Sequence, residues 1–126
     1  MDKVAELVDA ARRIAVPGYE GIYEIDSSGL VHNLKRDREI YRDLTNKHGY
    51  ARVNLFGPEG RKRRFVHRMV AEAFHPDTYD ESLVVDHISG DKTNNHYKNL
   101  EVITQSENTL RAIALGLRTY KRKEQP

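Results

Sequence analysis

Four residues, Thr104-Gln105-Ser106-Glu107, constrain the fold of this 126-residue chain more than any others. They have the form of a capping box: the Thr side chain accepts from the backbone at the Glu, and the Glu side chain reaches back. A helix therefore starts here, and Leu110, Ile113 and Ala114 carry it to Gly116, a natural C-terminal stop. Just before it runs Leu100-Glu101-Val102-Ile103, a short strand. An earlier strand, Leu83-Val84-Val85, delivers Asp86-His87, and a loop rich in Gly, Asp and Asn, Ile88 to Lys98, separates the two. The order is strand, long loop, strand, helix.

This order turns spacing into geometry. The capping box sets Asn108 inside the helix, from where its side chain can turn toward the strand bearing Asp86. Neighbouring side chains on a strand alternate, so His87 points away from Asp86. A carboxylate oxygen and an amide oxygen suit Mg²⁺, which prefers hard ligands and keeps waters for a substrate phosphate. An imidazole kept off the metal stays able to deprotonate water at neutral pH. A lone His at a strand end ordinarily packs, and an Asn in a turn ordinarily supplies backbone geometry. In this order and spacing, the set points instead to metal-assisted hydrolysis of a phosphodiester.

Charge supplies the substrate. From Lys35 to Arg68 the chain carries eleven Lys/Arg against four Asp/Glu, although the whole is only +2. The segment 118–123 is basic too, whereas residues 69–107 hold eight acids against Lys92 and Lys98. A chain so divided can grip a polyanion with one part and hold a cation with another. Arg52, Arg61, Lys62, Arg63, Arg64 and Arg68 are the expected phosphate contacts, with His96 in the loop and Lys121 and Arg122 in the tail. Cysteine is absent, which excludes disulfides and Cys-based zinc sites. No apolar run approaches the roughly 18 residues of a membrane span. Asp2, Glu6 and Asp9 argue against a signal peptide.

The rest of the chain reads as α+β. Val4, Leu7, Val8, Ala11 and Ile14 predict an amphipathic helix over 1–16, ended by Pro17-Gly18. Residues 17–65 predict a small antiparallel β module: a hairpin around Ser27-Ser28-Gly29, a strand from Arg38 to Leu44, an alternating strand over 49–56, and a return over 61–65. A helix over 66–75 opens the unit 66–117, and residues 118–126 form a basic tail. His67 is expected to be structural, and His32, His48 and His75 to lie at the surface. Tyr19, Tyr23, Tyr41 and Tyr50 are expected to pack on the sheet.

The pattern Asp86-His87-x-x-Gly90-Asp91-x-x-Asn94-Asn95-x-x-x-Asn99-Leu100, followed by Asn108, resembles the ββα-metal motif of the HNH endonuclease family. Gly18-Tyr19-Glu20-Gly21-x-Tyr23 is similar to the NUMOD4 module that precedes this motif in phage-type homing and nicking enzymes, and Val66-His67-Arg68-x-Val70-Ala71-Glu72-Ala73-Phe74 is also similar to those enzymes. The resemblance implies His87 as general base, Asp86 and Asn108 as ligands of one Mg²⁺ or Mn²⁺, and Asn99 as the brace of the long loop. Asn108 in place of the last His makes this an HNN variant. It further implies nicking of double-stranded DNA with 5′-phosphate and 3′-hydroxyl ends, in the cytoplasm of a bacterial host by a phage-encoded protein. A homodimer or a further phage protein would be compatible partners. Relatives that read long sites carry a helix-turn-helix module after the motif, and about ten residues follow Gly116 here, so short-site specificity is expected. The rival reading is a DNA-binding accessory protein that retains the HNH fold with negligible cutting.

Overall fold

The computed structural model describes residues 12–44, 49–114 and 116. Among the described residues, eight short strands form three antiparallel sheets, accompanied by two α-helices and a short 3-10 turn (Tyr97–Asn99). The first has the order β1 (Arg13–Ala15), β2 (Tyr23–Asp26), β3 (Val31–Asn33) and β4 (Arg38–Glu39). The second pairs β5 (Arg52–Gly57) with β6 (Gly60–Phe65), and the third pairs β7 (Val84–His87) with β8 (Leu100–Ile103). Helix α1 (Val66–Phe74) lies between the second and third sheets in sequence, and α2 (Gln105–Ala114) closes the order.

Three expectations about the elements are corrected. The helix expected over 1–16 falls mostly outside the described residues, but its last turn is strand: Ile14 pairs with Ile25 and Arg13 with Asp26. The reason is non-local, because the open edge of β2 carries backbone groups that need partners. The upstream strands also form two sheets instead of one, and an isolated bridge pairs Asp43, beyond β4, with Arg52 of β5. The third strand of the first sheet's meander is followed by only Arg38–Glu39, not a strand reaching Leu44.

One core serves all three sheets. Val16, Ile25, Val31, Val53 and Leu55 pack in the same cluster as Val66, Met69, Val70, Val85 and Leu100. Helix α1 holds it together, with Val66, Met69 and Val70 on one face at helical spacing. Tyr19 and Tyr23 join the core edge to face, 5.7 Å apart, whereas Tyr41 is 76% exposed instead of packed. His32 and His75 are not free surface residues. His32 bonds Asp26 at 2.9 Å, and His75 bonds the Tyr97 carbonyl at 2.7 Å. His48 lies outside the described residues.

Candidate active site

The site grows out of β7. Val85 and His87 are buried on one face, while Val84 and Asp86 face the other way. His87 thus turns into the protein and Asp86 toward α2, as alternation demands. Helix α2 packs against β7 and is fixed at its start by the capping box. Thr104 N donates to Glu107 Oε1 at 2.9 Å, and Glu107 N donates to Thr104 Oγ1 at 3.1 Å. Asn108 sits one turn before Arg111 on this helix. Gly116 adopts a left-handed φ of 73° beyond the helix.

Arg111 is the residue sequence reasoning missed. Its Nη1 lies 2.8 Å from Asp86 Oδ2 and 2.7 Å from Glu101 Oε1. Asp86 stands directly opposite Glu101 across the β7–β8 ladder, so two like charges face each other on one side of the sheet. The guanidinium offsets that repulsion, and both bonds hold Arg111 firmly protonated. Its role follows from the strand register, which sets Glu101 opposite Asp86 and leaves a cation one turn past Asn108 to bridge both.

His87 is 5% exposed, and its Nε2 lies 2.8 Å from Asn95 Oδ1. Burial lowers its pKa below the ordinary histidine value, an effect partly opposed by the Asn95 bond and the charges of Asp86 and Asp91. Tyr50 stacks near His87 with ring centroids 5.8 Å apart, and the His67 ring centroid lies 5.2 Å from that of His87. His67 is buried, stacked on Tyr50 at 4.7 Å, with its pKa lowered to about 3 by burial and by the His87 and Arg68 charges. His67 thus sits as a buried ring beside Tyr50 and His87, with its charged form disfavoured.

Asn99 ties the long loop at both ends. Its Oδ1 accepts from Ser89 N at 3.0 Å, its Nδ2 donates to the Asn94 carbonyl at 2.9 Å, and its own carbonyl accepts from Ile88 N at 2.8 Å. His96 accepts from Lys98 N and stacks on Tyr97. The basic residues divide. Arg61, Lys62 and Arg63 are exposed on β6, with Lys62 paired to Glu59. Arg52 is tied to Asp43, Arg64 to Glu72, and Arg68 to the carbonyls of Glu81 and Leu83. Lys121 and Arg122 lie outside the described residues.

Asp86 and Asn108 are both oxygen donors, and that chemistry fits a hard divalent cation. Asp86 offers a carboxylate that is 20% exposed and paired with Arg111, and Asn108 is carried on the helix that packs against the same strand. Among the described residues no three His, Asp or Glu side chains close around a metal.

The pattern described as HNH endonuclease matches residues 64–110, and that of the NUMOD4 motif matches residues 12–56. Residues 64–110 carry an HNH endonuclease motif. This HNH chain is 36% identical over 110 residues to DNA endonuclease I-HmuI of Bacillus phage SP01, covering 87% of itself and 62% of that relative. It is 37% identical over 101 residues to the SPbeta prophage-derived protein YosQ of Bacillus subtilis (strain 168), covering 78% of itself and 56% of YosQ. Its fold is similar to the solved structure "DNA binding and cleavage by the HNH homing endonuclease I-HmuI", with a TM-score of 0.79 and 34% identity over 90% of this chain and 64% of that one. The HNH chain thus spans about three fifths of the length of these relatives.

Proposed function

We propose that this chain is a divalent-metal-dependent DNA endonuclease that cuts one strand per active site. The observation that carries the reading is the division of β7: a buried imidazole with lowered pKa on one face, and a carboxylate turned toward Asn108's helix on the other. His87 takes a proton from water, and the water oxygen attacks phosphorus. The bond from phosphorus to the 3′ oxygen breaks, and that oxygen gains a proton, leaving 5′-phosphate and 3′-hydroxyl ends. Asp86 and Asn108 would hold the cation, which supplies positive charge against the crowded phosphorane. Asn99 keeps the loop that follows His87 in shape through its three bonds.

Double-stranded DNA is the partner this reading requires, with Arg61, Lys62 and Arg63 the exposed cations on β6 and His96, Arg52, Arg64 and Arg68 nearer the body. Those contacts position a duplex without reading it. The setting is the cytoplasm of a bacterial host. The pairing of Arg111 with Asp86 favours one rival, an accessory protein that binds DNA but cuts negligibly. End analysis of nicked plasmid separates the two. Added Mg²⁺ or Mn²⁺ is expected to convert supercoiled DNA to open circles bearing 5′-phosphates, and chelation to stop it. DNA bound but left supercoiled at all cation concentrations would favour the accessory protein.

A further inference from the structure

Asn95 is an expensive residue for a loop. It is 2% exposed, and its Nδ2 has no hydrogen-bond partner among the described residues. A buried amide using only one of its polar groups costs stability and is retained where something else requires it. Its one side-chain bond is to His87 Nε2, at 2.8 Å. An amide oxygen can only accept, so the proton in that bond belongs to Nε2. In a neutral imidazole the lone pair then lies on Nδ1.

Asn95 is itself held from behind by the first sheet. A Cβ at Gly29 would lie 2.8 Å from the Cβ of Asn95 and 3.2 Å from its carbonyl oxygen, so the backbone of the β2–β3 turn presses directly on this residue. Gly29 has a φ of 97°, a conformation that side-chain-bearing residues rarely take. Two residues beyond Asn95, Tyr97 N donates to the Ser27 carbonyl at 2.9 Å. The turn is rigid because Asp26 Oδ1 accepts from Ser28 N, Ser28 Oγ and Leu30 N at 3.0, 2.6 and 3.0 Å. A contact chain therefore runs from the NUMOD4 hairpin through Asn95 to His87.

We propose that Asn95 is the positioning residue of the site, fixing the Nε2–H tautomer of His87, and that the Ser27-Ser28-Gly29 turn fixes Asn95. The upstream module is then part of the catalytic apparatus as well as a platform for DNA. This rests on His87 being the general base, and the tests keep the two readings apart.

The first measurement needs no variant. Long-range proton–nitrogen correlation on protein labelled with nitrogen-15 at histidine, at a pH where the ring is neutral, is expected to give the Nε2–H pattern for His87. An Nδ1–H pattern overturns the assignment. In Asn95→Leu, His87 is expected to become a tautomer mixture, and the single-turnover nicking rate to fall about 10- to 100-fold with DNA affinity unchanged. Asn95→Asp, which keeps an accepting oxygen, is expected to restore the Nε2–H pattern. Gly29→Ala is expected to weaken that pattern while the protein still unfolds cooperatively. Leu at 95 with an unchanged tautomer and rate would overturn the role of Asn95, and Ala at 29 with an unchanged pattern would overturn that of the turn. If His87→Gln nicked like wild type, the base reading would fall, while the tautomer result would stand or fall by itself.

Discussion

At the scale of single residues, the site is a set of competing claims on a few polar atoms. Asp86 Oδ2 is claimed by Arg111, and the same oxygen is the expected handle for a cation. Arg111→Gln removes the competitor and is expected to tighten Mn²⁺ binding to DNA-free protein about two- to fivefold, the range of a partly exposed ion pair. Titration followed by electron paramagnetic resonance reads this directly, and unchanged or weaker binding would show that Arg111 does not compete. The placements legible from sequence were those whose spacing forces a geometry: Asp86 and His87 on opposite strand faces by alternation, Asn108 on the helix by the capping box. Asn95 was not legible as a partner of His87, because an Asn in a loop reads as backbone geometry. What distinguishes it is burial and the pressure of Gly29, a residue 66 positions earlier in the chain. Arg111 was hidden for a similar reason, since its role depends on which residues of β7 and β8 stand opposite each other.

At the scale of elements, α2 and the buried rings carry the testable energetics. Thr104→Ala removes the acceptor for Glu107 N and is expected to cost about 1 kcal/mol, read as a lowered denaturant midpoint. Because that helix bears Asn108, Mn²⁺ affinity should fall with it, whereas an unchanged midpoint would mean the cap is redundant. His67 makes stability depend on pH. Its folded pKa of about 3 lies below the ordinary 6.5, so above 6.5 both states are neutral and nothing is lost. As pH falls through 6.5 the unfolded chain takes up a proton that the folded ring refuses, and stability declines down to the folded pKa. Between pH 7 and pH 5 this one ring is expected to remove about 1 to 2 kcal/mol. His67→Phe should flatten that part of the profile, and a variant as acid-sensitive as wild type would place the effect elsewhere. The strand elements were partly legible. Alternation located β5 and the Ser27-Ser28-Gly29 turn located the β2–β3 hairpin, but β1 was read as the end of a helix because its pairing with β2 is non-local.

At the scale of the whole molecule, one core crosses the boundary between the NUMOD4 and HNH matches. Ile25, Val31 and Leu55 from the first pack with Val66, Val70, Val85 and Leu100 from the second. Ile25→Ala, at a fully buried position, is expected to cost about 2 to 5 kcal/mol. Far-ultraviolet circular dichroism and tyrosine fluorescence should report the same single transition in wild type and variant, since neither half has a separate core to keep. Two separated transitions would show that the modules fold independently. Composition excludes disulfides and points toward a polyanion, yet it does not reveal that the two matched segments share an interior. That sharing is set by long-range packing, which periodicity does not encode.

The central claim is that His87 performs chemistry on bound DNA, and it is tested most directly by single-turnover plasmid nicking with Mg²⁺ or Mn²⁺, with DNA binding measured in the same reactions. Wild type is expected to relax supercoiled plasmid, and His87→Ala to bind it equally well while nicking about 100-fold or more slowly, the scale of a lost general base. Equal nicking, or equal absence of nicking with both proteins bound to DNA, would contradict the account.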